Sequence, residues 1–124
     1  MALQKPEVEP IDGDAPTDLR VTDVTVGDGK EATAGSFVSV HYVGVAHSTG
    51  EQFDASFDRG MPLEFPLGEG RVIAGWDQGV QGMKVGGRRR LEIPPHMGYG
   101  DAGAGGVIKG GETLIFVVDL LGVH

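Results

Sequence analysis

An antiparallel sheet of five or six strands packed on one short helix, an α+β domain, is the fold class that three features of this 124-residue chain predict. Short segments alternate apolar and polar residues with a period of two, the mark of half-buried strands. Only one stretch, residues 71–83, spaces its apolar residues by three and four. The 22 glycines divide the chain by tight turns and leave little room for long helices. Such a sheet can bury its inner face only beneath the helix.

The elements follow in order. Residues 1–18 hold Pro6, Pro10 and Pro16 and five carboxylates against the single Lys5, without apolar periodicity. They read as a disordered acidic tail, and residues 19–124 as the folded domain. "LRVTDVTV", rich in β-branched residues, predicts a first strand that ends at Gly27-Asp28-Gly29. "SFVSVHYVGVAH" sets Val38, Val40 and Tyr42 on one face and His41 and Val43 on the other, a second strand. After the turn at residues 48–50, "EQFDASF" returns as a third. In "MPLEFPL" Leu63, Phe65 and Leu67 alternate, but Pro62 and Pro66 restrict it to a short edge strand.

The helical stretch comes next. Ile73, Trp76, Val80 and Met83 share one face, yet Gly75, Gly79 and Gly82 interrupt it. Each glycine costs a helix about 1 kcal/mol against alanine. The chain's one tryptophan thus sits on a poorly made helix, and the pattern leaves open what its ring faces. "RRRLEIP" then places Leu91 and Ile93 on one face, and "ETLIFVVDLLGV" closes the chain as a buried strand. Residues 94–112, with seven glycines, follow neither period. Irregular loops longer than about 12–15 residues are usually functional or disordered. Tyr99, Val107 and Ile108 make this one a flap over a pocket.

Composition narrows the chemistry. The net charge of −8 argues against nucleic acid or an anionic membrane as partner. The one basic cluster, residues 88–90, reads as solvated residues at a strand start. The first ten residues lack the apolar core of a secretory signal, and the longest apolar run, residues 114–118, is too short to span a membrane. The expectation is a soluble cytoplasmic protein. There is no cysteine, and the four histidines have no metal-ligand spacing. Neither a phosphate-binding glycine loop nor a serine nucleophile motif is present. Asp54 and Asp58 could act as paired carboxylates, but Arg59 beside them favours a salt-bridged loop. Tyr42, Phe53, Trp76, Tyr99 and Phe116 lie on segments that must meet. They form either a plain core or a cavity. Two buried tyrosine hydroxyls, each needing a partner, lean toward the cavity.

The segments "VSVHYVG", "FDASFDRG", "VIAGWDQGVQGMKVGGRRRLEIPP", "GYGDAGAGGVI" and "TLIFVVDLL" resemble, in order and spacing, the FKBP-type peptidyl-prolyl isomerases, above all bacterial single-domain members. The resemblance runs from Leu19 to Val123. It implies a twisted sheet curled as a half-barrel around the helix, with an apolar pocket between them. It further implies catalytic roles for Asp54, Tyr99 and Phe116, and a substrate site of Tyr42, Phe53, Arg59, Leu63, Val72, Ile73, Trp76, Val107 and Ile108. Trp76 would be the floor under a proline ring. The Ile73 N–H and Tyr99 hydroxyl would bond ligand carbonyls, and Tyr42 and Arg59 would hold Asp54 in the wall.

The implied activity is rotation about X-Pro bonds in peptides and unfolded proteins by a monomer that helps folding, with no cofactor or metal. Macrolides of the rapamycin type would be inhibitors. The alternatives are a module that binds proline peptides or macrolides with little isomerase activity, or a small β-rich ligand-binding domain. The sequence departs from the family pattern at Leu63, where an aromatic is common, and at Ala104, where histidine is frequent. Lys109, Gly110 and Gly111 replace the usual pair of prolines, which predicts a more mobile flap with weaker macrolide binding or altered substrate preference.

Overall fold

The computed structural model describes residues 3–124. Its strands are β1 (Arg20–Thr25), β2 (Phe37–Ala46), β3 (Gln52–Ala55), β4 (Leu63–Pro66), β5 (Arg88–Ile93) and β6 (Leu114–Val123). They form one antiparallel sheet in the order β1-β5-β6-β2-β3, with β4 sharing the β3 edge of β2. Two helical segments, α1 (Ser56–Arg59) and α2 (Ala74–Gly79), complete the fold. Among the described residues no helix is long and apolar enough to cross a membrane.

The two ten-residue strands β2 and β6 pair along their length and carry the core. Val38, Val40 and Tyr42 face inward from β2, and Leu114, Phe116, Val118 and Leu120 from β6. All are buried against Trp76, Val80, Leu91 and Ile93. This is the alternation that the sequence predicts. Strand β6 is buried on its other face as well, which explains its unbroken apolar run: Ile115 packs with Val45, Val8 and Ile11. The covering residues come from the N-terminal segment.

That segment, expected to be a disordered tail, has no helix or strand before β1, yet it lies along the outer face of the sheet. The arginine cluster, expected to be solvated, helps to hold it there. Arg88 pairs with the buried Asp119 and donates to the Gln4 carbonyl. Arg90 pairs with Glu92 and donates to the Glu9 carbonyl. Arg89 instead reaches the inner side, where Nη1 donates to the carbonyls of Gly79 and Gln81, both at 2.9 Å, at and just past the end of α2. All three guanidiniums are therefore structural. Apart from Glu92, two residues from Arg90, their partners lie too far along the chain for local pattern to reveal them.

The third expected strand is also shorter than predicted. It ends at Ala55, and one helical turn, α1, follows before Gly60 closes it in the left-handed region at φ 68°. Ser56 drives this change. Its Oγ, fully buried, accepts the Tyr42 N–H at 2.7 Å and bonds His41 Nδ1 at 2.8 Å, pinning α1 to β2.

The poor composition of α2 has a packing reason. A Cβ on Gly75 would stand 2.6 Å from Ile93 side-chain atoms, and one on Gly79 would stand 2.7 Å from Leu91. Both glycines face β5 where alanine would not fit, so the helix can lie close on the strand. Gly79→Ala and Gly75→Ala are therefore expected to destabilise by about 1–3 kcal/mol each through overpacking. That outweighs the gain of about 1 kcal/mol in helix propensity. Urea unfolding checks this, and a gain in stability for either variant contradicts it.

Candidate active site

Between α2, β2, β3 and β6 lies a cavity of about 280 Å³ lined by aromatic and aliphatic side chains. The indole of Trp76, 4% exposed, is its base. Tyr42 meets the indole edge to face at 4.9 Å and 82°, and Phe116 does so at 5.2 Å and 85°. Phe53 crosses Phe116 at 5.5 Å and 90°. Each pair sets a ring edge against a ring face, the arrangement that the π quadrupole favours. Perpendicular rings form a box and cannot collapse into a stack. This resolves the choice left open by the sequence: the five aromatics line a cavity.

A glycine helps to keep it open. Gly44 stands opposite Asp54 on β3 and Phe116 on β6. A Cβ there would lie 2.6 Å from the Phe116 ring and 2.7 Å from Phe53. The two phenyl rings thus occupy the space over the strand that any larger residue would fill. An isolated glycine within a strand signals such close approach.

One carboxylate enters the wall. Asp54 receives the Tyr42 hydroxyl at 2.5 Å and the Arg59 guanidinium, and Arg59 Nη2 also donates to Tyr42 Oη at 2.8 Å. The triangle is closed, as the salt-bridge reading of Arg59 anticipates. With Asp54 and Arg59 both substantially exposed, the ion pair adds little stability. Its consequence is orientation. Asp58, the other member of the possible carboxylate pair, turns away to Lys5 and Gln52. Burial first, then the bond to Asp54, pushes the Tyr42 phenol above its ordinary value near 10. The Tyr99 phenol is raised as well, by burial and then by the charge of Asp54. Both hydroxyls remain donors through neutral pH.

The remaining lining residues are Leu63, Arg71, Val72, Ile73 and Tyr99. Ile73 precedes α2, so its N–H lies outside the helical ladder, and it bonds no backbone carbonyl among the described residues. Asp77 fixes this approach to the helix by accepting the N–H groups of Gly68 and Gly70, each at 2.9 Å. Trp76 Nε1 is also without a partner among the described residues.

Three of the expected site residues stand outside the cavity lining. Arg59 acts from behind Asp54. Ile108 is 6% exposed and belongs to the core, where it anchors the flap. Val107, 65% exposed, lines a neighbouring groove with Phe53, Lys109 and Glu51. Three residues escaped sequence reasoning: Ser56, Asp77 and Arg71. Their polar partners or neighbours are set by tertiary contacts that leave no periodic trace.

The flap, residues 94–112, opens with a 3-10 turn, Pro95–Met97, and closes on itself. Ala104 N–H meets the Ile108 carbonyl at 2.8 Å, and Gly111 N–H meets that of Gly100 at 2.9 Å. Gly110 packs so closely on the Asp101 carbonyl that a Cβ there would overlap it. Gly110 therefore has a steric basis, and Gly111 a conformational one at φ 73°, alongside their entropic cost. Among the described residues no three His, Asp or Glu side chains cluster as metal ligands.

The family model described as FKBP-type peptidyl-prolyl cis-trans isomerase matches residues 29–121. An FK506-binding protein of Streptomyces anulatus is 64% identical over 124 residues, covering 99% of this chain and 100% of the relative. A probable FK506-binding protein of Corynebacterium glutamicum is 51% identical over 119 residues, covering 96% and 98%. The crystal structure of AtFKBP13 superposes with a TM-score of 0.80 at 40% identity, covering 89% of this chain and 96% of that one. With the aromatic cavity in the same chain, these findings mean that the protein belongs to the FKBP-type peptidyl-prolyl cis-trans isomerases.

Proposed function

We propose that this isomerase holds the proline of a flexible or unfolded chain against the Trp76 indole, with Tyr42, Phe53 and Phe116 around the ring. The observation that carries this reading is the perpendicular aromatic box, open at one side and polar only at its tied carboxylate and rim. The Ile73 N–H and the Tyr99 hydroxyl are the donors for substrate carbonyls. No covalent step is needed. Amide resonance sets a barrier of about 18–20 kcal/mol to rotation about X-Pro. The planar amide is more polar than the twisted one, so a desolvating aromatic site favours the twist. A reduction of about 5–7 kcal/mol corresponds to about 10⁴–10⁵-fold acceleration.

The protein is proposed to act as a monomer that assists folding. Two relatives are named for FK506 binding. We assign macrolides of the rapamycin type to the same cavity here.

The test is relaxation of a short X-Pro peptide from cis to trans, with and without protein, then with rapamycin. Acceleration that rapamycin abolishes is expected, and no acceleration at all would reduce the protein to a binding module. Tyr99→Phe removes one hydrogen bond, worth about 1 kcal/mol, and is expected to lower kcat/KM about fivefold. Phe116→Ala opens the box and should cost more than about tenfold. Unchanged kinetics in both variants would contradict the assigned roles.

The raised tyrosines predict the pH response. Since folding pushes both phenols above about 10, the hydroxyl donors persist and kcat/KM stays flat from about pH 6 to about pH 9. The same shifts contribute stability that is complete below the unfolded value of about 10 and is lost as pH rises through the folded values. Thermal unfolding across the alkaline range checks the sign. A rise in stability above about pH 10 would refute it.

A further inference from the structure

Arg71 lines the cavity, yet it is the one arginine of the chain without an ion pair among the described residues. Arg20, Arg59, Arg88, Arg89 and Arg90 are all paired with carboxylates. This is unusual in a chain whose net charge is −8, where acidic partners are plentiful. The one carboxylate in the cavity wall, Asp54, is already engaged by Tyr42 and Arg59. Glu69, two residues before it, is exposed and does not pair with Arg71.

The position of this cation is constrained even though its side chain is exposed. Asp77 holds the Gly68 and Gly70 N–H groups immediately before it. The chain bends at Arg71 and Val72 before Ile73, φ −59° and ψ 151°, and all three residues line the same cavity. Arg71 therefore shares the edge of the cavity with Ile73, whose N–H is the donor proposed for a substrate carbonyl. A guanidinium next to a backbone N–H at the edge of an apolar cavity suits a carboxylate close to the bound proline, because the planar fork can donate twice.

We propose that Arg71 selects prolyl substrates carrying a carboxylate within one residue of the proline. This rests on the isomerase reading and adds a substrate class to it. The carboxylate could belong to an acidic side chain before the proline, to one after it, or to a C-terminal proline, and three peptide pairs separate these sources. The groove beyond Phe53 carries Glu51 and Glu112 against the single Lys109 and so does not favour a carboxylate.

The test compares kcat/KM for Glu against Gln before proline, Glu against Gln after it, and free against amidated C-terminal proline. Exposed ion pairs of this kind correspond to about a threefold preference. The preference is expected for at least one acidic member, chiefly in KM, and it should shrink at high salt. Within Arg71→Gln the ratio should fall to about one, and in Arg71→Glu the acidic member should become the poorer substrate. Using ratios within each variant cancels any general loss of activity. A wild-type ratio of one in all three pairs, or a ratio unchanged in Arg71→Gln, overturns the proposal. Turnover of the neutral peptides by the wild type tests the isomerase reading separately. If they are not turned over, the same ratios are read from peptide binding through Trp76 fluorescence, with the same outcomes deciding.

Discussion

The close approach of α2 to β5 is the contact on which the rest of the structure depends. A helix of six residues has almost no stability of its own, since nucleation alone costs more than a few backbone bonds return. It persists because its glycine face lies against Leu91 and Ile93 and because Arg89 satisfies carbonyls beyond its end. Holding the helix down on the sheet fixes the height of the Trp76 indole. Were the helix lifted by the width of a methyl group, the indole would intrude into the space that the cavity occupies.

The aromatic box then follows from geometry. Tyr42 and Phe116 descend from neighbouring strands, and Gly44 leaves the space above β2 for Phe116 and Phe53. Tyr42 is fixed twice over, by Ser56 at its backbone and by Asp54 and Arg59 at its hydroxyl. Asp54, Arg59 and the Tyr42 hydroxyl are thus spent on holding rings in place. The cavity interior remains apolar, which is the environment that favours a twisted amide. On the outer face of the sheet the N-terminal segment plays the complementary part, covering Ile115 with Ile11 and Val8.

The strands were legible because alternation is local. Val38, Val40 and Tyr42 declare an inner face within five residues, and the double burial of β6 shows in its unbroken apolar run. The family resemblance implied the cavity, and the aromatic residues it names line one in the structure. What escaped the sequence was set by long-range partners. Nothing in "RRR" says that these side chains meet Asp119, Asp23 and backbone carbonyls of residues near the N-terminus. Nothing in "DASF" says that Ser56 will anchor a helical turn. Arg71 escaped for the opposite reason: it has no ion pair among the described residues, so only its place beside the cavity marks it.

The indole of Trp76 is the most direct witness to the central claim, that it forms the floor of the proline site, and as the chain's only tryptophan it can be followed without ambiguity. A titration of the protein with an X-Pro peptide, and then with rapamycin, would follow the single indole N–H resonance alongside isomerase activity. The expected result is a saturable shift of that resonance, with the rapamycin shift tracking loss of activity. An indole resonance that stays fixed while rapamycin abolishes activity would contradict the claim and place the proline site elsewhere.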